Sequence, residues 1–559
     1  MNKNNLLIFL IGIFLTIFFT FPFVFYLDKF YEPNQDFMFF DWLFQWNNHA
    51  FFNGLIFNIN SYFNSNQFLL IKNSLALADV VLLPSLLIYT PVYFITHNTV
   101  FSLNFLIFIS FFLNFISSYF CLNYFIKNKI GSLFGAIVYT FSPVAFMRFP
   151  SHIEYLQRYL IPPIFVYLVI FLNMPDFKKG LIFYLIYFLS WLTNIQLTIF
   201  SSFFIIIFFL HYLVLKIRRS AFVIWIKKII KYSLIAIPIF LLLFYLYSPY
   251  WELSSNKDYK RTIEDAEHYS AEIIDYFVGS PNQKVFGNFY KKLDVYREVE
   301  TDGAVNYAEH TLLIGGIAYL LFILFFLSKN NFKGDSYKLI SITCIFFGVI
   351  LSFGPSTTIG IYKINLPYYY IYNFIPLLGA IRTPTRVILV TIFFISLMIG
   401  LVIKKINNSN YFVRNLVIIA LFLLLLIEYK QRIPITTFDN HFLEYNLLQK
   451  NVIFFPFNDN TDQTAFYLIN SLKKGFTMVN GSIGTYIQEN LDLKKELSEN
   501  EFNNKWFNTL QFRGIDYAIF DLRELNKNKY LLILKKLDKY IINKDKNWII
   551  VDIKKYGKN

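Results

Sequence analysis

Long apolar runs separated by short basic connections dominate the chain up to about residue 430. A membrane-spanning helix needs about 20 consecutive apolar residues, and 6–27 meets that length directly after Lys3. It is too long for a signal-peptide core and no small-residue cleavage site follows, which predicts an anchor rather than a cleaved leader. Further runs at 99–125, 131–149, 156–173, 180–196, 197–215, 232–249, 311–328, 339–354, 387–403 and 415–429 predict helices of the same kind. The run 80–96 is apolar as well but carries Pro84 and Pro91. Beyond 431 the period changes: short apolar segments at 452–457, 517–520 and 548–553 predict strands, and 487–512 and 526–541 predict helices between them.

The connections decide the topology. With a cytoplasmic N-terminus and 80–96 lying on the surface or re-entering, the cytoplasmic loops hold Lys127/Lys129, Lys178/Lys179, the cluster Lys216/Arg218/Arg219/Lys227/Lys228/Lys231, Lys329/Lys333/Lys338 and Lys404/Lys405/Arg414, against only Asp176 and Asp335. Counting 80–96 as a span would turn that lysine-rich set outward, against the positive-inside rule, so about eleven spans are expected. The external regions are then 28–98, 150–155, 250–310, 355–386 and everything after about 431. The fold class is a polytopic α-helical membrane protein, with a transmembrane domain over 1–430 and a small α/β extracytoplasmic domain over 431–559.

Composition agrees and narrows the partners. The chain is 56% hydrophobic and 16% charged, where soluble domains carry about 25% charged residues. The net charge of +15 sits between apolar runs rather than along one folded face, which argues against nucleic acid. Cys121 and Cys344 both fall inside apolar runs, so neither a zinc spacing nor a disulfide framework is present. No divalent metal is indicated, although a requirement for one is left open. No Gly-Lys-Ser/Thr follows Gly354-Pro355-Ser356, and no Ser/His/Asp spacing signals a hydrolase.

Candidate chemistry concentrates in Glu32–His49, directly after the first run. A helix over 37–52 would place Asp41, Gln45, Asn48 and His49 on one side, beside Trp42 and Trp46, with Phe39, Phe40 and Leu43 opposite. That pattern predicts an amphipathic helix in the interface plane. Asp36 suits an N-cap, and equally a carboxylate serving as general base on an incoming nucleophile. Arg148, Arg158, Arg382 and Arg386 stand at external span ends, against the charge bias, and guanidinium forks suit a lipid-linked phosphate. Glu154 offers Arg148 or Arg158 an ion-pair partner, and His152 suits an interfacial position. Glu309-His310 reads as an ordinary helix start, and Asn194 and Gln196 as the end of one span and the beginning of the next.

The pattern Asp36-x5-Trp42-x3-Trp46-x2-His49 resembles the first external loop of bacterial membrane proteins of the GT-C clan of polyprenyl-phosphate-sugar-dependent glycosyltransferases. Other stretches agree in order: Ala78-Asp79 and Asn104, Gly131-x3-Gly135 through Pro143 and Arg148, Ser151-His152-Ile153-Glu154, and Tyr269-Ser270-Ala271. So do Ile381-Arg382-Thr383-Pro384-Thr385-Arg386, Val479-Asn480-Gly481 and Gly514-Ile515-Asp516-Tyr517. The resemblance implies a multi-pass protein of the inner (cytoplasmic) membrane that moves a sugar from a polyprenyl-phosphate donor to a glycan, lipid or protein acceptor at the outer face. It implies Asp36 as the catalytic acid, and Arg382, Arg386 and Arg148 as donor-phosphate ligands. Asp41, Trp42, Trp46, His49, Asp79, His152 and Glu154 follow as possible donor or acceptor contacts. Glu154 departs from the neutral amide common in that position, and Asp41 from a position that is not acidic in the group. The prenyl chain is expected in an apolar groove under 80–96 and 365–380. A lipid or polysaccharide translocase, or a scaffold that binds a glycolipid without turnover, is the alternative; a translocase should show mid-membrane charges and repeat symmetry, and neither is evident.

Overall fold

A computed structural model describes residues 3–217, 221–255, 262–292, 309–327, 336–359, 362–374, 381–406, 411–483 and 487–556. Arg218, Arg219, Arg261, Lys329, Lys333, Asp335 and Pro376 lie outside them. The helices are α1 (Lys3–Thr20), α2 (Gln35–Phe52), α3 (Leu82–Thr96), α4 (Thr99–Ile126), α5 (Lys129–Phe141), α6 (Ile161–Asn173), α7 (Phe177–Trp191), α8 (Ile195–Ile217), α9 (Phe222–Ser233) and α10 (Ala236–Leu246). After these come α11 (Gly316–Leu327), α12 (Ser336–Ser352), the hairpin β1 (Ser356–Ile359) and β2 (Tyr362–Asn365), α13 (Ile388–Ile406) and α14 (Tyr411–Tyr429).

The protein is a helical membrane protein with a small sheet domain. Among the described residues, Thr99–Ile126, Ile195–Ile217 and Pro384–Ile406 are long and apolar enough to cross a bilayer, and α9 with α10 form a fourth candidate bent by 42°. Several of the other apolar helices are shorter than the runs that announced them. The helix of the run 131–149 breaks at Ser142, because the residue before Pro143 avoids helical angles, and one more helical turn, Pro143–Phe146, follows. The run 156–173 begins its helix only at Ile161, where Pro162 and Pro163 suit the first turn. Much of the basic connection 216–231 is helix, with Lys227, Lys228 and Lys231 on α9. Lipid-facing surface is plain on α14, where Leu416, Ile419, Leu423 and Ile427 are exposed at helical spacing.

Helix α13 sits at the centre of this layer, buried on every side from Ile388 to Gly400. Its closest neighbour is α5. A Cβ on Gly131 would strike the Gly400 carbonyl, and one on Gly135 would reach the Ser396 carbonyl at 2.8 Å. The Gly-x3-Gly spacing therefore lets two backbones touch, as small residues do where helices meet in lipid. This crossing holds α5 against α13, which follows directly on the turn Pro384–Val387 that carries Arg386.

The C-terminal unit is a five-stranded sheet of β3 (Asn451–Phe455), β4 (Thr477–Met478), β5 (Tyr517–Asp521), β6 (Ile541–Lys544) and β7 (Trp548–Asp552), in the order β4-β3-β5-β7-β6. Strands β4, β3 and β5 are parallel, and β7 and β6 close the sheet antiparallel. Helix α15 (Asp462–Lys474) connects β3 to β4, and α16 (Gln488–Glu499) with α17 (Asn504–Phe512) leads to β5. The all-apolar core of β3, Val452-Ile453-Phe454, is what a strand covered on both faces requires. Residues 66–69 extend the free edge: Met478 N–H donates to the Asn66 carbonyl at 3.0 Å and Leu69 N–H to the Met478 carbonyl at 3.0 Å. The sheet unit is thus seated on the segment that follows α2.

Candidate functional site

Helix α2 is buried almost throughout, from Phe37 to Asn48, so it is not the half-wetted helix that its polar face suggests. Helix α15 and the π-helical turn Ser85–Tyr89 of α3 cover it. Asp41 is buried, and accepts hydrogen bonds from Tyr31 Oη and Gln45 Nε2, both at 2.9 Å. Trp42 Nε1 donates to Asn66 Oδ1 at 3.0 Å and Trp46 Nε1 to the Tyr62 carbonyl at 3.2 Å. His49 is exposed beside Asn53. Asp41, Trp42 and Trp46 hold α2 in place, and none of the four lines the cavity described next.

The cap of α2 is Asn34, whose Oδ1 accepts from Phe37 N–H at 2.9 Å. Asp36 is therefore not consumed as a cap, and its side chain, 52% exposed, faces a cavity of about 240 Å³. Asp79, His152, Glu154, Arg382 and Arg386 line the same cavity, and Ser482 and Ile483 of the sheet unit close it from outside. Five stretches far apart in sequence are brought together here. Arg148 does not line it.

His152 stands between two carboxylates, with Nε2 3.9 Å from Asp36 Oδ2 and Nδ1 3.6 Å from Glu154 Oε1. Burial lowers the imidazole to about 4; Asp36 opposes this, while Arg386 and Arg148 reinforce it. Burial likewise pushes the Glu154 carboxyl up to about 8, more than Arg386 and Arg148 hold it down. At neutral pH the pair is thus an uncharged imidazole beside a protonated carboxyl. Asp79 is pushed by burial to about 7, even though its Oδ2 accepts Ile195 N–H at 2.8 Å at the start of α8.

The arginines are organised by an acid that looked unremarkable in sequence. Glu309 Oε1 accepts from Arg148 Nη1 at 2.9 Å and from Arg386 Nε at 2.8 Å, while Oε2 accepts from Thr385 Oγ1 at 2.5 Å. Burial alone would raise the Glu309 carboxyl, but Arg148 and Arg386 hold it far below the usual carboxylate range. Arg148 is wholly buried behind this pair. Arg386 also donates to Tyr155 Oη and lies 4.4 Å over the Tyr155 ring. Arg382 stacks 4.9 Å over Tyr269. Arg158, by contrast, spends its Nη2 on the Tyr139 and Thr140 carbonyls.

Gln196 belongs to this cavity and does more than begin a helix. Its Nε2 donates to Thr383 Oγ1 at 3.0 Å, and its Oε1 accepts from Tyr155 Oη. Asn194 does cap α8, accepting Leu197 N–H at 2.7 Å, and also donates to the Glu154 carbonyl at 2.9 Å. Glu309, Tyr155 and Gln196 are the residues that spacing could not bring forward. The one available signal was their polar character at span ends. Among the described residues, no three His, Cys, Asp or Glu side chains converge as a metal site.

An apolar groove of about 540 Å³ adjoins the cavity and shares Ile195 and Tyr250 with it. Trp191, Phe240, Phe244 and Trp251 form its walls, between the end of α7 and α10. It is not the groove expected beneath 80–96 and 365–380, part of which lies outside the described residues.

No family model matches the chain, and no curated protein matches it either. Solved structures overlap it along nearly its full length. The archaeal oligosaccharyltransferase AglB from Archaeoglobus fulgidus, in complex with an inhibitory peptide and a dolichol-phosphate, aligns at 10% identity and TM-score 0.44, covering 95% of this chain and 71% of that one. The apo form of the Archaeoglobus fulgidus oligosaccharyltransferase aligns at 12% identity and TM-score 0.44, covering 97% and 73%. ArnT from Cupriavidus metallidurans in the apo state aligns at 11% identity and TM-score 0.36, covering 99% and 98%.

Proposed function

We propose that this protein is a membrane glycosyltransferase that moves a sugar from a polyprenyl-phosphate-linked donor to an acceptor at the outer face of the membrane. The observation that carries the reading is the junction of a cavity holding Asp36, His152, Arg382 and Arg386 with an apolar groove, through Ile195 and Tyr250. An amphiphile with an anionic head and a long apolar tail matches both halves. The tail lies along Trp191, Phe240 and Phe244, and the phosphate meets Arg386 and Arg382. Asp36 takes the proton from the acceptor hydroxyl as its oxygen attacks the anomeric carbon. The bond from that carbon to the phosphate oxygen breaks with inversion, and the electron pair leaves with the polyprenyl phosphate. The two guanidiniums stabilise the charge that develops on it. Neutral His152 and protonated Glu154 add no negative charge where the phosphate must sit. In this reading the chain spans the membrane about eleven times with its basic loops in the cytoplasm, and 431–559 stands outside.

The test is purified protein incubated with radiolabelled polyprenyl-phosphate sugars. Transfer or release of the labelled sugar is expected, lost in Asp36→Asn and in Arg386→Met. Donor binding without any release by the wild-type protein would instead support a non-catalytic glycolipid-binding role.

A further inference from the structure

Asp36 owes its place to the first turn of α2, and that turn is held from more than one side. The leading N–H groups of a helix have no partner within it, so their acceptors fix where the helix begins. Phe37 N–H donates to Asn34 Oδ1 at 2.9 Å and Met38 N–H to the Asn34 carbonyl at 3.1 Å. Asn34 is tied in turn to the residue before His152, its Nδ2 donating to Ser151 Oγ at 3.0 Å. The N–H of Gln35, the residue before Asp36, goes elsewhere. It donates to Asp462 Oδ1 at 2.6 Å, 427 residues away in the sheet unit.

Asp462 opens α15, yet α15 does not need it as a cap. Thr461 holds that position, its Oγ1 accepting Thr464 N–H at 3.0 Å. One carboxylate therefore stands at the start of two helices, where negative charge is favoured, and its bond to Gln35 is charge-assisted and short. The sheet unit has other bonds to keep it seated. Leu69 N–H donates to the Met478 carbonyl, Asn66 Nδ2 to Ser471 Oγ at 2.7 Å, and Ser482 N–H to Gln67 Oε1 at 2.9 Å. Asp462 adds what those contacts do not, a hold on the peptide that leads into Asp36.

We propose that Asp462 is a positioning residue, through which the sheet unit sets the Asp36 carboxylate for its work, so that the cavity is complete only with that unit in place. The inference rests on the transferase reading for what Asp36 does, whereas the hold on α2 can be measured by itself. A displacement of about 1 Å at a reacting group can cost about 10²-fold in rate. Arg382 and Arg386 lie on another element, so donor binding is not touched.

The experiment measures sugar transfer, polyprenyl-phosphate binding and backbone hydrogen–deuterium exchange on the full-length protein in detergent. Asp462→Ala should lower kcat by about tenfold or more with donor affinity unchanged. Asp462→Asn, whose Oδ1 still accepts Gln35 N–H, should return most of that loss. Gln35→Pro removes the donor instead, at a first helical position that tolerates proline, and covers the case in which Asp462→Ala disturbs the fold. It should lose kcat likewise, and the double variant should lose no more than either single one. Ser471→Ala, which removes a different bond between the two units, should leave kcat as it is. Exchange at Gln35 and Asp36 should quicken in Asp462→Ala and not in Asp462→Asn. Full kcat in Asp462→Ala, equal losses in the alanine and asparagine variants, additive losses in the double variant, or an equal loss in Ser471→Ala would each overturn the proposal. A wild-type protein that transfers no sugar would remove the transferase reading instead. Exchange then decides: quickened in Asp462→Ala it upholds the hold on Asp36, and unchanged it overturns it.

Discussion

Arg386 Nε lies 2.8 Å from Glu309 Oε1, the same oxygen that Arg148 Nη1 approaches from the other side at 2.9 Å. One buried carboxylate therefore neutralises part of two guanidiniums, and aims the one that lines the cavity. Removing one partner of a buried ion pair costs about 3–5 kcal/mol, because the other charge is left stranded. Glu309→Gln should thus sharply lower the thermal unfolding midpoint of the purified protein. Adding Arg148→Met to it, which removes the stranded cation farthest from the cavity, should restore most of the midpoint. Equal midpoints for the single and double variants would show that the two arginines do not compete for this acid.

The titration of Glu154 sets a second expectation. Its carboxyl is raised from 4.5 to about 8, so between those values the folded protein binds more protons than the unfolded chain. Its contribution to stability is complete below 4.5 and is lost as the pH rises through 8. Asp79, raised from 3.8 to about 7, acts in the same direction. His152, lowered from 6.5 to about 4, acts in the opposite one, and its contribution is lost as the pH falls through that interval. Glu154→Gln should flatten the decline in the unfolding midpoint between pH 4.5 and 8. Ionised Glu154 also opposes a phosphate in the cavity. Donor turnover should therefore fall above pH 8 in the wild type and hold in Glu154→Gln, as a pH–rate profile would reveal.

Helix packing gives a third. A Cβ on Gly131 would meet the Gly400 carbonyl, so a methyl added there has no flexible side chain to displace. Overpacking of this kind costs about 1–3 kcal/mol. Gly131→Ala should lower the unfolding midpoint. It should also weaken polyprenyl-phosphate binding, because α5 packs on α13, which follows directly on the turn that carries Arg386. An unchanged midpoint and affinity would mean that the crossing does not position the site.

Much of the sheet unit was legible because its strands are short apolar runs bounded by polar segments: 452–457, 517–520 and 548–553 lie within two residues of β3, β5 and β7 at either end. What lacked such a run was missed, as with β4, two residues that owe their pairing to β3, and α15, whose apolar face meets α2. The runs 99–125, 197–215 and 387–403 were legible as helices, whereas 131–149 and 156–173 were legible only as apolar runs, since prolines at 143, 162 and 163 interrupt or delay their helices. Within the cavity, the aspartate, histidine and arginine positions could be singled out by charge at a span end. Glu309 could not, because its meaning depends on Arg148 and Arg386, 161 and 77 residues away. Asp41 misled for the opposite reason: a charge on a helix face reads as solvated until Tyr31 and Gln45 are seen to enclose it.

Asp36 and Asp41 therefore make a matched pair for the final test. Both are aspartates on one helix, five positions apart in sequence, yet one faces the cavity and the other is enclosed by hydrogen-bond donors. Asp36→Asn leaves Asn34 to cap α2, so the fold should persist with an unchanged unfolding midpoint, while sugar transfer is lost. An essential general base is worth about 10²–10⁴-fold in rate. Asp41→Asn keeps an acceptor for Tyr31 but sets its own amide against Gln45, so the unfolding midpoint should fall by the equivalent of about 1–3 kcal/mol. Transfer per folded molecule should stay within a few-fold of wild type. Parallel unfolding and transfer measurements on the two variants decide the assignment, and a reversal, with Asp41→Asn inactive at full stability, would move the catalytic carboxylate to the buried face of α2.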